Sequence, residues 1–227
     1  ADLQRSLDLA QGPLLRAGLF ELGAERPRWL LLAIHHLAVD AVSWGILLAD
    51  LGRLLAASGS GEPARLAAKT TSYRRWAEWL VERARILEIR REAGYWFAED
   101  RRSIAPLPRD FAAADENLRG AVGRVVCELG VEETRRLLEE VPHAYRTRIN
   151  DALLTALAEA FAGWTGERRL LVALEGHGRE EGAGQVDLTR TVGWFTAVFP
   201  MLLTLPSAAG PAAALVAVKE QLRAVPG

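Results

Sequence analysis

Hydrophobic positions along the chain fall into short runs and longer periodic blocks that take turns. Leu14 to Leu22 and Arg28 to Ile34 are short, mostly apolar runs around a polar turn, Gly23-Ala24-Glu25-Arg26-Pro27, which predicts two strands joined by a turn. From Asp40 to Leu55 the apolar residues recur at three- and four-residue spacing, the period of a helix with one buried stripe. Ser58 to Pro63 is a loop by composition. Thr71 or Ser72 is placed to cap a further helix carrying Trp76, Trp79, Leu80 and Ile86 toward Arg90. A short segment with Tyr95-Trp96-Phe97 follows, and residues 101 to about 120 are rich in Pro, Asp, Arg and Ala, as a linker would be.

The pattern then restarts. Val122 to Leu129 alternates as a strand does, and Val131 to Glu140 reads as a helix with acidic residues in its first turn. Asn150 to Trp164 reads as another, with Asn150 as its cap. Leu170 to Leu174 predicts a short buried strand, and Trp194 to Leu205 a longer one in which Pro200 marks an edge or a bulge. Ala212 to Leu222 closes the series as a helix. Strands and helices in both halves predict an α/β or α+β protein with two subdomains.

Composition narrows the function classes. The chain has 227 residues, half hydrophobic and a quarter charged, enough to bury a sizeable core. Lys and Arg number 28 against 29 Asp and Glu, so neither a nucleic acid nor an anionic membrane is an expected partner. Cys127 is the only cysteine, which rules out an intrachain disulfide framework and suits a reducing cytoplasm; its apolar surroundings predict a core thiol. No uninterrupted apolar run reaches the length of a membrane span, and no signal-peptide pattern opens the chain. Both ends read as cut from something longer.

Four stretches carry candidate chemistry. His35-His36-Leu37-Ala38-Val39-Asp40-Ala41-Val42-Ser43-Trp44 lies where the second strand gives way to a helix. Side chains alternate along a strand, so one imidazole should face solvent while its neighbour turns inward. Histidine is the side chain best suited to moving protons near neutral pH. Glu175-Gly176-His177-Gly178-Arg179-Glu180 follows directly on the strand ending at Leu174, and its glycines permit backbone conformations closed to other residues. Arg190-Thr191-Val192-Gly193-Trp194-Phe195-Thr196 and Asn150-Asp151-Ala152-Leu153-Leu154 complete the set. Taken alone, each also has a bland reading, as a capped turn, a charged loop, an edge strand and a helix start. No phosphate-binding glycine loop and no nucleophile elbow is present. A metal on His35, His36 and Asp40 is disfavoured because adjacent strand residues point apart.

Together the four motifs resemble the epimerization domains of nonribosomal peptide synthetases, which belong to the condensation-domain superfamily. The pattern His-His-x-x-x-Asp-x-x-Ser-Trp is met at His35, His36, Asp40, Ser43 and Trp44. Glu-Gly-His-Gly-Arg-Glu is met from Glu175 to Glu180, Arg-Thr-Val-Gly-Trp-Phe-Thr from Arg190 to Thr196, and Asp-x-Leu-Leu at Asp151, Leu153 and Leu154. Ala41 stands where the family often has Gly, and Phe199-Pro200 replaces the commoner Tyr-Pro. The family's Pro-Ile-Gln-x-Trp-Phe motif, late glycine-tyrosine motif and Phe-Asn-Tyr motif are missing. The chain thus looks like the central half of such a domain. The resemblance implies a chloramphenicol-acetyltransferase-like, two-lobed fold incomplete at both termini. Residues 1–105 would belong to the N-terminal lobe, 106–120 to an inter-lobe linker and 121–227 to the C-terminal lobe.

The same resemblance implies an activity: inversion, L to D, at the α-carbon of an aminoacyl or peptidyl thioester held on the phosphopantetheine arm of a carrier domain. His36 and Glu175 would be the catalytic pair. His35, Asp40, Ser43, Trp44, Asn150, Gly176, His177, Gly178, Arg179, Arg190 and Trp194 would support them. A buried Asp40 needs a cationic partner, and Arg190 is the expected one. No cofactor is expected to bind directly, the partners being the carrier domain and adjacent synthetase domains in cis, in the cytoplasm of a bacterium. Two alternatives are a condensation domain, which joins two carrier-bound substrates through an amide, and a silent docking module.

Overall fold

The computed structural model describes residues 1–61, 63–109, 120, 122–179, 186–207 and 210–226. The chain divides into two compact units, Ala1–Arg90 with Glu175–Val198, and Arg91–Leu174 with Phe199–Gly227.

In the first unit, α1 (Asp2–Arg5) precedes β1 (Leu15–Phe20) and β2 (Trp29–Ile34). The two strands form an antiparallel ribbon in which Leu15 faces Ile34 and Phe20 faces Trp29. His35 extends this ladder by one bond, its N–H donating to the Leu14 carbonyl at 2.8 Å. A 3-10 turn, His36–Ala38, then leads into α2 (Ala41–Ser60), whose N-cap is Asp40. The loop expected at 58–63 starts later than its composition suggests: the helix runs through Ser60, and Gly61 ends it with φ +72° in the left-handed region that glycine enters freely. By length and composition α2 could cross a membrane. Here Ser43 in its first turn is buried and Asp50 is ion-paired within the first unit. Ser72 caps α3 (Tyr73–Arg83), its hydroxyl accepting from the Arg75 N–H at 3.1 Å, and α4 (Leu87–Arg91) follows.

The second unit contains α5 (Ala93–Trp96) and α6 (Glu99–Arg102). Next come α7 (Val131–Arg135), a π-helical stretch (Arg136–Glu140) and α8 (Val141–Tyr145), and then α9 (Ile149–Thr165). The N-cap of α9 is Arg148, not Asn150, which is the exposed second residue of the helix. Asp151 reaches back instead, accepting from the Arg148 N–H at 2.8 Å. The strand expected over 122–129 does not form: alternation prepares a strand, but a ladder needs a partner, and here Val125 is 91% exposed and Cys127 is exposed rather than in a core. The expected linker falls largely on 110–119, outside the described residues.

β3 (Arg169–Gly176) pairs with β4 (Ala197–Thr204), and α10 (Pro211–Arg223) follows. The core of the second unit joins Ala158 of α9, Met201 and Leu203 of β4, Leu205, and Ala214 and Val218 of α10. Full burial of a side chain such as Met201 or Leu203 is worth roughly 1.5–3 kcal/mol. By contrast, Trp29, Leu30 and Leu31 of β2 and Leu48, Leu54 and Leu55 of α2 remain exposed.

Candidate active site

His36 and Glu175 both lie in the first unit, each where a strand ends. Both side chains are exposed and thus open to a substrate. Beside each stands a histidine that organises the turn. His35 Nδ1 accepts from the Leu37 N–H at 3.2 Å, and His177 Nδ1 accepts from the Arg179 N–H at 3.0 Å. An Nδ1 that accepts leaves the proton of a neutral imidazole on Nε2. His35 is only half-buried, while His36 is free of that turn bond and meets the Trp194 ring edge-on, centroids 6.2 Å apart.

The cationic partner of Asp40 is Arg179, not Arg190. Arg179 Nη2 donates to Asp40 Oδ1 at 2.9 Å and to Oδ2 at 3.0 Å, and its Nε donates to Oδ2 at 3.1 Å. Nη2 also donates to Ser43 Oγ, and Nη1 to the carbonyls of Leu188 and Thr191. The guanidinium carbon sits 4.0 Å over the Phe195 ring. Both side chains of the pair are only 7% exposed. A planar fork of five donors suits this two-sided task, which a lysine could not perform. Burial pushes the Asp40 carboxyl up, but the bonds from Arg179 and Ser43 outweigh it and hold the pKa below its ordinary 3.8. Arg190 pairs elsewhere, with both oxygens of Asp50 at 2.6 Å.

Ser43 is fully buried and uses its whole hydrogen-bonding capacity. Its Oγ accepts from Arg179 and from the Gly193 N–H at 3.0 Å, and donates to the Gly193 carbonyl at 3.0 Å. Its own N–H donates to Asp40 Oδ1 at 2.7 Å, which caps α2. Trp44 is half-buried one residue on, and Gly176 is the last residue of β3. Asn150 lies in the second unit. Glu180 lies outside the described residues.

The stretch 186–195 alternates buried and exposed residues without being a strand, and side-chain bonds hold it. Thr191 Oγ1 donates to the Thr71 carbonyl at 2.6 Å, and Asp187 N–H to Thr71 Oγ1 at 2.9 Å. Tyr73, Thr71 and Asp50 thus belong to the site's framework, although no sequence signal gives them a role there. Their partners Trp194, Thr191 and Arg190 lie more than a hundred residues away, beyond the reach of any local pattern.

Gly178 has φ +61°, and a Cβ on it would collide with the Phe195 carbonyl. Gly178→Ala is therefore expected to lose more than about 2 kcal/mol, since a left-handed alanine alone costs roughly 1–2 kcal/mol. Gly123→Ala, with no atom in the way, is the near-neutral control. Urea midpoints of the two variants check this, and equal midpoints would count against it.

The condensation-domain family profile matches residues 1–226. A linear gramicidin synthase from Brevibacillus parabrevis is 47% identical over 225 residues, which cover 99% of this chain and 3% of that protein. The epimerization domain from the third module of tyrocidine synthetase B aligns with TM-score 0.84 and 38% identity, over 99% of this chain and 50% of that one. The first condensation domain of the calcium-dependent antibiotic synthetase aligns with TM-score 0.69 at 20% identity, over 92% of this chain and 45% of that one. The chain thus spans about half the length of these solved domains. Its mixed helix-and-strand architecture is the chloramphenicol-acetyltransferase-like one, and the chain belongs to the condensation-domain family of peptide synthetases.

Proposed function

We propose that this chain contributes to an epimerization domain, which inverts the α-carbon of an aminoacyl or peptidyl thioester on a carrier domain's phosphopantetheine arm. One observation carries the reading. Asp40 lies four residues after His36 and Arg179 four residues after Glu175, and the buried Asp40–Arg179 bridge ties those two turns together. Inversion needs a base on one face of the α-carbon and an acid on the other, because a single group on one face returns the proton where it was. His36 and Glu175 are the two groups. One takes the α-proton, the C–H electron pair moves into the thioester as an enolate, and the other delivers a proton to the opposite face.

The uninterrupted Glu175–Glu180 motif and the 38% identity to a solved epimerization domain support this activity over condensation. The carrier domain and neighbouring synthetase domains are the partners, in a bacterial cytoplasm, and the lobe division at 106–120 belongs to the same reading. The test is to set residues 1–227 in a complete synthetase module, load its carrier with an L-aminoacyl group and react it in D2O. Deuterium at the α-carbon together with D-configured product is expected. Amide formation without deuterium uptake would overturn the reading in favour of condensation.

A further inference from the structure

We infer that Tyr73 is a positioning residue for the proton-transfer site, acting on His36 through Trp194; its role in the reaction rests on the epimerization reading. Tyr73 is the first residue of α3, and it touches three consecutive residues of the 190–196 motif. Its hydroxyl donates to the Trp194 carbonyl at 2.9 Å. Its ring lies against Gly193 so closely that a Cβ there would overlap it, with Tyr73 Cε2 at 2.7 Å. The same ring packs edge-on against Phe195, centroids 5.1 Å apart, and Trp76 closes the cluster at 4.6 Å from Phe195.

Trp194 is consequently held on both sides by backbone. Gly193 is locked to Ser43 through its N–H and its carbonyl, and the Phe195 N–H approaches Asp40 Oδ2 at 3.4 Å. Between these two buried residues the Trp194 side chain stands exposed and meets the His36 ring edge-on. His36 takes no part in the imidazole–backbone bond that fixes His35, and Trp194 is the aromatic ring its imidazole meets among the described residues, so that contact is the one assigned to orient it. A proton-transfer group must be held to within roughly 0.5 Å of its working position. The Tyr73 hydroxyl is the one side-chain bond made to the Trp194 backbone among the described residues.

Tyr73→Phe removes this bond and keeps the ring. In the complete module it is expected to lower kcat for inversion about tenfold with KM unchanged, short of the about 10²-fold that a 1 Å misplacement carries. Because the effect runs through Trp194, it should vanish in a Trp194→Ala background. Full wild-type kcat, or the same tenfold loss in both backgrounds, would overturn the inference. A readout independent of turnover is the His36 Hε1 resonance of the chain, assigned with His36→Gln and shifted by the indole ring current. Tyr73→Phe should move it in the same direction as Trp194→Ala. A resonance that Trp194→Ala moves and Tyr73→Phe leaves in place sinks the positioning role. If the module performs no inversion while Tyr73→Phe still moves the resonance, the epimerization reading falls and the Tyr73–Trp194–His36 linkage stands.

Discussion

His36→Ala and Glu175→Gln are each expected to lower inversion of a carrier-bound aminoacyl group by about 10²–10⁴-fold, the usual contribution of one positioned proton-transfer group. The two losses should not multiply. Inversion requires both faces of the α-carbon to be served in one passage, so the double variant should be little worse than either single one. Deuterium uptake separates the roles further. From the L-thioester, the variant that lacks the base on that face loses uptake, whereas the other retains uptake without inversion. Chiral analysis of released product, with mass measurement of deuterium, reads both quantities. Unchanged inversion in either single variant would remove that residue from the mechanism. Neither side chain is buried, so both substitutions leave the fold's interior untouched and a lost rate reports on chemistry.

Arg179→Met is expected to be the most destabilising single change in the first unit, at about 3–5 kcal/mol, because it strands the buried Asp40 carboxylate without its partner. It also strips donors from Ser43 Oγ and from the carbonyls of Leu188 and Thr191. Arg179→Lys should recover little, since one ammonium cannot reach Asp40 and those carbonyls together. The pH dependence has a definite sign. The Asp40 pKa is depressed in the folded chain, so the stabilisation is complete above the ordinary value of 3.8 and is lost as pH falls through the depressed one. The gap between wild type and Arg179→Met in urea midpoint should therefore be wide near about pH 7 and narrow toward about pH 3, where protonation neutralises the carboxylate in the variant. A gap that stays constant would assign the destabilisation to lost packing against Phe195 rather than to the charge pair.

Much of the architecture could be read from local pattern, and the exceptions share a cause. The two strands before His35, the terminal helix and the starts of the helices after Asp40 and Ser72 lie within a few residues of where periodicity and capping chemistry put them, because those signals are short-range; the helix capped by Ser72 nevertheless ends at Arg83 instead of continuing toward Arg90. Residues 122–129 alternate as a strand should, yet strandedness there depends on a neighbour that the segment does not encode. At the start of α9 only one half of a capping box forms, Asp151 accepting from the Arg148 N–H, since an acidic side chain three residues in can reach back to a free N–H whatever stands at the cap. The exposed leucines of α2 make the same point from the other side: periodicity shows which stripe could be buried, not what would cover it.

At the site, the residue types and their spacing carried the resemblance from which the candidate chemistry was read: a histidine and a glutamate at two strand ends, with an aspartate four residues after the first and an arginine four residues after the second. Which arginine completes that pair was decided only by the tertiary structure. Arg179 and Arg190 both follow in the chain and both carry the charge Asp40 needs. Gly178, in its left-handed conformation, brings the chain against Phe195 and Arg179 to Asp40, while Arg190 is taken by Asp50 of α2. Partner choice across 139 residues depends on where the backbone turns and which carboxylate is already buried, and neither quantity is written in a local pattern.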